Sequence, residues 1–285
     1  TKPEIGATVC FKSSTSLSRI PCGITRMKST RLKIIDRILE VIGESHTIAV
    51  CSHMRPDGDC IGSSLGLALA LLERGKEVTV WNQDPMPSKL RFLDPDQLIQ
   101  TPRKIHRPFD CVIAVDSASI ERLGTAQEHI ANRKVLINID HHASNTRFGD
   151  INWIASREPS SGELIYRLIT EAGWKLTPRI ADCLFTAIST DTGSFQYPST
   201  LPATYYAAGD LVKKGADLAT VCDEGAADDI ADSTGDEPSS SWATSLIARR
   251  PAMAAWLTDV DVNIDDISTG VGSDQLDVTT GEAIM

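Results

Sequence analysis

Val135-Leu136-Ile137-Asn138-Ile139-Asp140-His141-His142 is the stretch whose reading decides the fold. Its first five residues are apolar except for Asn138, as in a strand covered on both faces. The run then stops at an acid followed by a pair of imidazoles. Asp and His make poor core residues unless they are partnered. A carboxylate beside an imidazole is the usual way of fixing a metal-ligating histidine. The plainer alternative is a surface turn.

Working outward, the same pattern recurs. Thr47–Cys51, Val78–Trp81 and Cys111–Val115 are further apolar runs of strand length. Between them lie segments of helical spacing. Leu32, Ile34, Ile35, Ile38, Leu39 and Ile42 form one, closed by Gly43. Leu65–Arg74 forms another, capped by Ser63 or Ser64 and stopped by Gly75. Lys89–Leu93 is a short helix inside a proline-marked connection, and Glu121–Ala131 is helical in part. Gly162–Ala172, Pro178–Ser189 and Ala203–Lys214 complete the series, with Gly173 and Gly215 as stops. Strands alternating with helices predict an α/β fold: a mostly parallel sheet with helices on both faces. Ligands of such folds sit beyond the carboxyl ends of the strands, near the point where strand order reverses.

Acidic residues gather at just those ends. His53, Asp57 and Asp59 follow the first strand, and Gly58 between the acids allows a tight turn. Asp116 follows the third strand, where it is either a ligand or a helix cap. Asp191 stands in Thr190-Asp191-Thr192-Gly193, where it is either a ligand or a turn residue. Taken together, His53, Asp57, Asp59, Asp116, His141 and Asp191 supply nitrogen and hard oxygen donors without thiolates. That mixture suits Mn or Mg, with Zn or Co also accommodated. Six ligands exceed what one catalytic ion can use, so a pair of divalent ions about 3.5–4 Å apart, Mn before the others, is expected. Such a pair activates water and clamps the attacking and leaving oxygens of a phosphoester. His46, His106 and His129 lack acidic company and read as surface or packing residues.

Composition agrees. The chain has 285 residues, 41% hydrophobic and 23% charged, which is ordinary for a globular protein. No apolar run approaches the roughly 18–20 residues that cross a bilayer, so no membrane association is expected. Seven scattered cysteines without a CxxC pair read as reduced thiols and a cytoplasmic setting. The net charge of −10 is uneven: residues 224–285 hold thirteen Asp/Glu against two Arg, which is −11, and leave about +1 for the rest. A near-neutral body with an acidic tail excludes strong nonspecific binding of duplex DNA.

The motifs resemble those of the DHH phosphoesterases. The matching stretches are Ser52-His53-Met54-Arg55-Pro56-Asp57-Gly58-Asp59-Cys60-Ile61-Gly62-Ser63, Asp116, Asp140-His141-His142-Ala143-Ser144-Asn145 and Thr190-Asp191-Thr192-Gly193-Ser194-Phe195. Within that family, which includes RecJ-like exonucleases and family II pyrophosphatases, they are most similar to the nanoRNase/pAp phosphatase group. The resemblance implies roles. His53 and Asp57 would bind a first ion, and Asp59, His141 and Asp191 a second. Asp116 would bridge them. His142 would contact the scissile phosphate, Asp140 would orient a ligating imidazole, and Arg55 would meet phosphate charge. The substrate would be a short oligonucleotide, a 3′-phosphoadenosine nucleotide or a cyclic dinucleotide, and the assembly is compatible with a homodimer. A pyrophosphatase is the first alternative; Arg55, Gly58 and Thr190–Phe195 weigh against it. The second is an inactive metal- or nucleotide-binding fragment.

The resemblance covers roughly residues 30–222. Residues 1–29, without period and rich in Ser and Arg, read as a disordered or non-native arm; a transit peptide has similar composition. Residues 223–285, acidic and poor in large apolar residues apart from a candidate helix at Trp242–Leu257, read as a disordered tail. The family's second domain, with its Gly-rich, His-bearing segment, has no counterpart there, and no His follows His142. The expectation is a truncated or frame-shifted reading of a longer gene.

Overall fold

The computed structural model describes residues 23–104 and 108–225, with side chains from 34 to 104 and from 108 to 221. Most of the expected N-terminal arm, His106, nearly all of the acidic tail and the Trp242–Leu257 helix lie outside the described residues.

The strands are β1 (Thr47–Cys51), β2 (Glu77–Trp81), β3 (Ile99–Gln100), β4 (Phe109–Val115), β5 (Arg133–Asp140) and β6 (Ile151–Ile154). They form one sheet in the order β3-β2-β1-β4-β5-β6, and every neighbouring pair is parallel. Strand order therefore reverses between β1 and β4, which opens a crevice at their carboxyl ends. The edge strands β3 and β6 have no counterpart in the sequence reading. Both are too short to show a period, and most of their residues are only half buried.

Side chains alternate across the sheet as the two-residue strand period requires. Ile48, Val50, Cys111, Ile113, Val115, Ile137 and Ile139 enter the larger core. It is completed by α1 (Gly23–Glu44), α2 (Gly58–Glu73), α4 (Ser161–Glu171), α5 (Pro178–Asp191) and α6 (Pro202–Lys213). Ala49, Cys51, Val112, Ala114 and Leu136 face the other way. There the cover is slight: a 3-10 turn at Ile120–Leu123 and the single turn α3 (Ala126–His129). Helices thus lie on both faces, very unequally. A last helix, α7 (Leu218–Gly225), follows α6.

Three local expectations are corrected. Helix α1 begins at Gly23 and passes through Gly43 to end at Glu44, so Gly43 does not close it. Helix α2 begins at Gly58, seven residues before the expected start, because Asp57 is its cap and accepts the Cys60 N–H at 2.9 Å. Ser63 and Ser64 are buried helical residues, and Asp57-Gly58-Asp59 is a helix start, not a tight turn. Helix α5 likewise runs on to Asp191, which is its last residue and not part of a following turn. Gly75, Gly173 and Gly215 do take positive φ just beyond their helices, as stop signals should.

The early start of α2 has a structural purpose. Gly58, Gly62 and Gly66 recur every four residues and form one bare stripe. A Cβ added at Gly58 would collide with the Thr190 side chain, at Gly62 with the Cys183 carbonyl and Ala187, and at Gly66 with Leu184. The stripe lets the backbone of α2 lie directly on α5. A Cβ on Gly162 of α4 would meet Ala187 in the same way. Gly62→Ala is therefore expected to overpack this contact at a cost of about 1–3 kcal/mol and to lower the melting temperature by on the order of 5 °C. Gly43→Ala, with nothing within 4 Å of the added carbon, is the control and should not lower it. Thermal melts of the two variants check this.

Candidate metal centre

The crevice at the carboxyl ends of β1, β4 and β5 gathers the acidic residues. Just past β1, the buried His53 places Nδ1 2.9 Å from the Met54 carbonyl oxygen. That contact leaves Nε2 to face Asp116 Oδ2 at 3.3 Å and Asp57 Oδ2 at 3.6 Å. The loop is tied down by Asn82, which donates to the His53 carbonyl at 2.8 Å. Asp57 thus has two duties: Oδ1 caps α2 and Oδ2 turns toward His53.

Asp59 is buried in the first turn of α2. Its carboxylate accepts the N–H groups of Ser161 at 2.7 Å and Gly162 at 2.8 Å, at the start of α4. A helix N-terminus favours negative charge there.

Asp116 directly follows β4 in the left-handed region, φ 53°, where a residue other than glycine is strained. No helix begins at Asp116; the next element is the 3-10 turn from Ile120, so the capping alternative does not apply. Its two oxygens face different imidazoles: Oδ2 lies 3.3 Å from His53 Nε2, and Oδ1 lies 3.6 Å from His141 Nε2. The Ser161 hydroxyl donates to Oδ1 at 2.9 Å.

At the end of β5, alternation sorts the three polar residues. Asp140 and His142 turn together, and Asp140 Oδ1 is 2.8 Å from His142 Nδ1. His141, between them, projects elsewhere. Its Nε2 reaches Asp191 Oδ2 at 3.1 Å, Asp116 Oδ1 at 3.6 Å and Asp59 Oδ2 at 3.8 Å. Asp140 therefore pairs with His142 and not with His141, the imidazole expected to be the ligand; the carbonyl oxygen of Glu158, 3.3 Å from Nδ1, stands behind His141. Asp191 reaches the cluster from the far end of α5.

Two groups with donor atoms all within 4.8 Å of one another result: His53, Asp57 and Asp116, and Asp59, His141 and Asp191. Asp116 with His141 and His142 makes a third such group. Arg55 is not drawn in. It is exposed, with φ 56° and its N–H held by Asp84 Oδ2 at 2.6 Å. His46 is exposed, and His129 packs on Trp81 with ring centroids 6.0 Å apart.

The supporting residues were largely missed from sequence. Ser161 and Gly162 hold Asp59, and Ser161 also holds Asp116. Ser160-Ser161-Gly162-Glu163 has the spacing of a helix start, the one signal that pointed to them. Asn145 donates to Asp140 Oδ2 at 2.6 Å and to Asn138 Oδ1 at 2.9 Å. Asn138, a fully buried amide in an apolar strand, was a visible anomaly. Glu158 is gripped through both carboxylate oxygens by Arg167, at 2.6 and 2.8 Å; Arg167 also binds Glu163.

The electrostatics show what is crowded together. Burial opposes a charged His53, yet the neighbouring Asp116 and Asp57 carboxylates raise its pKa well above the ordinary value. Burial also opposes a charged His141, but Asp191 and Asp116 outweigh it and lift the pKa to about 9. Asp59 moves the opposite way for an acid: burial, then Asp116 and Asp191, push its carboxyl well up, against the two N–H groups that favour the anion. Repelling carboxylates around shared imidazoles, with mixed nitrogen and hard oxygen donors, are a donor set that fits divalent cations.

Residues 47–188 match the DHH family, N-terminal domain. The chain belongs to the DHH family. It is 34% identical over 194 residues to the bifunctional oligoribonuclease and PAP phosphatase NrnA of Thermus thermophilus, which covers 68% of this chain and 57% of that protein. For the NrnA of Bacillus subtilis the figures are 32% over 179 residues, 62% and 56%. The chain thus spans little more than half the length of these curated relatives. Among solved structures, an exopolyphosphatase-related protein from Bacteroides fragilis superposes with a TM-score of 0.65 at 25% identity, covering 82% of this chain and 67% of that one. The α/β fold with a parallel sheet is shared with it.

A pH dependence follows. A histidine with a raised folded pKa stabilises the fold below its unfolded value and loses that contribution as pH climbs through the folded value. For His141 the window runs from the ordinary 6.5 to about 9. The raised carboxyl of Asp59 acts in the same sense, since an acid with a raised pKa loses stability as it ionises. The chelator-treated protein should therefore melt at progressively lower temperature from pH 6.5 to 9. Excess divalent metal, replacing those protons, should flatten the slope. Melts across this range, with chelator and with metal, decide it.

Proposed function

We propose that this chain is a metal-dependent phosphoesterase that hydrolyses short oligonucleotides, 3′-phosphoadenosine 5′-phosphate or both. One observation carries the reading: the Asp116 carboxylate turns one oxygen toward each of two imidazole–carboxylate groups. A single side chain that serves two donor sets is what a pair of ions sharing a bridge requires. The family membership and the names of the NrnA relatives support the same reaction class.

In this reading His53 and Asp57 hold one ion, Asp59, His141 and Asp191 hold the other, and Asp116 serves both. We assign the ions as Mn, with Mg or Co as substitutes, on the nitrogen and hard oxygen character of the donors. When bound, they supply Lewis acidity toward the phosphoryl group and lower the pKa of water.

The remaining work belongs to the protein's own residues. His142 has Nδ1 committed to Asp140 and is 40% exposed, so its other nitrogen is free to meet a substrate. The hydrogen bond that Nδ1–H donates to Asp140 raises the His142 pKa, which favours the imidazolium and a proton held at Nε2 for a phosphoryl oxygen. Asn145 fixes Asp140 from behind, so the donor keeps its direction. Arg55, exposed between two metal ligands, adds positive charge near the entering phosphate. A reducing, cytoplasmic setting is supported by four buried free cysteines, Cys51, Cys60, Cys111 and Cys183.

The deciding experiment is hydrolysis of a labelled dinucleotide by the purified chain with Mn, beside Asp116→Ala. The parent should turn over and the variant should lose activity by at least about 100-fold, with an unchanged far-UV CD spectrum. Equal activity in both proteins would end the two-metal reading. Mn binding by the parent without product would reduce the chain to a metal-binding domain.

A further inference from the structure

We propose that Tyr197 is a stacking platform for a nucleobase of the substrate, so that this domain itself selects phosphoesters bearing a base. The inference rests on the phosphoesterase reading for the site it serves.

The described residues expose few large apolar side chains: Leu72, Tyr197, Tyr205 and Tyr206, with Tyr197 the most exposed at 56%. Tyr205 is engaged. Its hydroxyl donates to the Phe195 carbonyl at 3.0 Å, and its ring packs on Phe195 with centroids 5.7 Å apart. Tyr197 is held differently. A Cβ added at Gly193 would lie 2.5 Å from Tyr197 Cζ and 2.8 Å from Cδ1, and closer still to Cε1. Such similar distances to three successive ring carbons mean that Gly193 meets the ring face. An edge-on approach would leave the flanking carbons much farther than the middle one. One face of the ring therefore rests on backbone, and the exposure belongs to the other side.

Position supplies the function. Gly193 is two residues beyond Asp191, a distance of at most about 7 Å along the chain. Asp191 itself stands 3.1 Å from His141 Nε2. With Gly193 against its face, the ring lies within about 11 Å of the Asp191 Cα, comparable to the reach of one nucleotide from phosphate to base.

The loop beneath it is built rigidly and at a cost. Gly193, Ser194 and Phe195 have φ of 55°, 55° and 65°, three successive residues in the left-handed region, two of them not glycine. Such residues normally occur singly, at roughly 1–2 kcal/mol each. Here they are fixed by Ser194 N–H on the Ser189 carbonyl at 2.7 Å, Phe195 N–H on the Thr192 hydroxyl at 3.1 Å and Tyr197 N–H on the Thr192 carbonyl at 3.0 Å. Strain held in place beside a candidate reaction centre points to a functional placement. A rigid aromatic with two side-chain torsions, one face backed and one open, binds a planar base at little entropic cost. Such stacking accepts any base, because every base has a π-face.

The test separates base recognition from catalysis. Binding of AMP and of ribose 5-phosphate is measured by calorimetry, with Mn present, in the parent, Tyr197→Ala and Tyr197→Phe. The parent should prefer AMP by about 10–100-fold, the range that one stacked base provides. Tyr197→Ala should lose most of that margin with ribose 5-phosphate binding unchanged, and Tyr197→Phe should keep it. Equal affinity for the two ligands in the parent, or a margin that survives Tyr197→Ala, overturns the proposal. Turnover is read separately. A Tyr197-dependent margin in a chain that hydrolyses nothing would sustain the platform and remove the enzyme; hydrolysis without the margin would do the reverse.

Discussion

Holding Asp59, Asp116 and Asp191 within reach of one imidazole is the constraint on which the rest of this structure depends. Burial, and after it repulsion from Asp116 and Asp191, holds the Asp59 carboxyl well above its ordinary pKa. The chain offsets the repulsion locally. Asp57 is spent on a helix cap, Asp59 on the first N–H groups of α4, and Asp116 on a serine hydroxyl and two imidazoles. What these contacts leave uncompensated is a demand for cations, which is the physical content of the metal assignment.

Helix packing meets that demand for closeness. The carboxylates come from opposite directions: Asp57 and Asp59 from the start of α2, Asp191 from the end of α5. They can converge only if those two helices lie nearly in backbone contact. The stripe of Gly58, Gly62 and Gly66 permits it, and Gly162 extends it to α4. The parallel sheet contributes the third direction. Reversal of strand order between β1 and β4 leaves His53 and Asp116 on the two lips of one crevice, with Asp140 and His141 one strand further on.

A division of labour follows at the end of β5. One residue of rotation along an extended chain separates His141, which faces the carboxylate cluster, from Asp140 and His142, which face each other. Behind them Asn138 and Ser117, both buried, and the half-buried Asn145 form a polar ladder, Asn145 donating to the Ser117 carbonyl at 3.0 Å. A satisfied network of this kind fixes direction more than it adds stability. The imidazole turned toward solvent is therefore as well oriented as the one turned toward the donors.

Much of this was legible in the sequence. Apolar runs of strand length alternating with helical periods determined the α/β class, and an acid or imidazole directly after a buried run marked the carboxyl ends where the site lies. Local chemistry sufficed because each of those residues carries its signal in its immediate neighbours. What needed the tertiary structure was every relation between distant segments. That Asp59 belongs with Ser161 and Gly162, a hundred residues on, is visible in no local pattern. The pairing of Asp140 with His142 in place of His141, by contrast, follows from the two-residue alternation of a strand end and lay within reach of the sequence. Gly58 looked like a turn residue because spacing alone does not reveal which helix lies against it. The two edge strands were too short to carry a period at all. Sequence determined which nitrogen and oxygen donors this protein has; only the packing of α2, α4 and α5 on the sheet decided which oxygen faces which nitrogen, because such contacts are made by chain segments that meet only after folding.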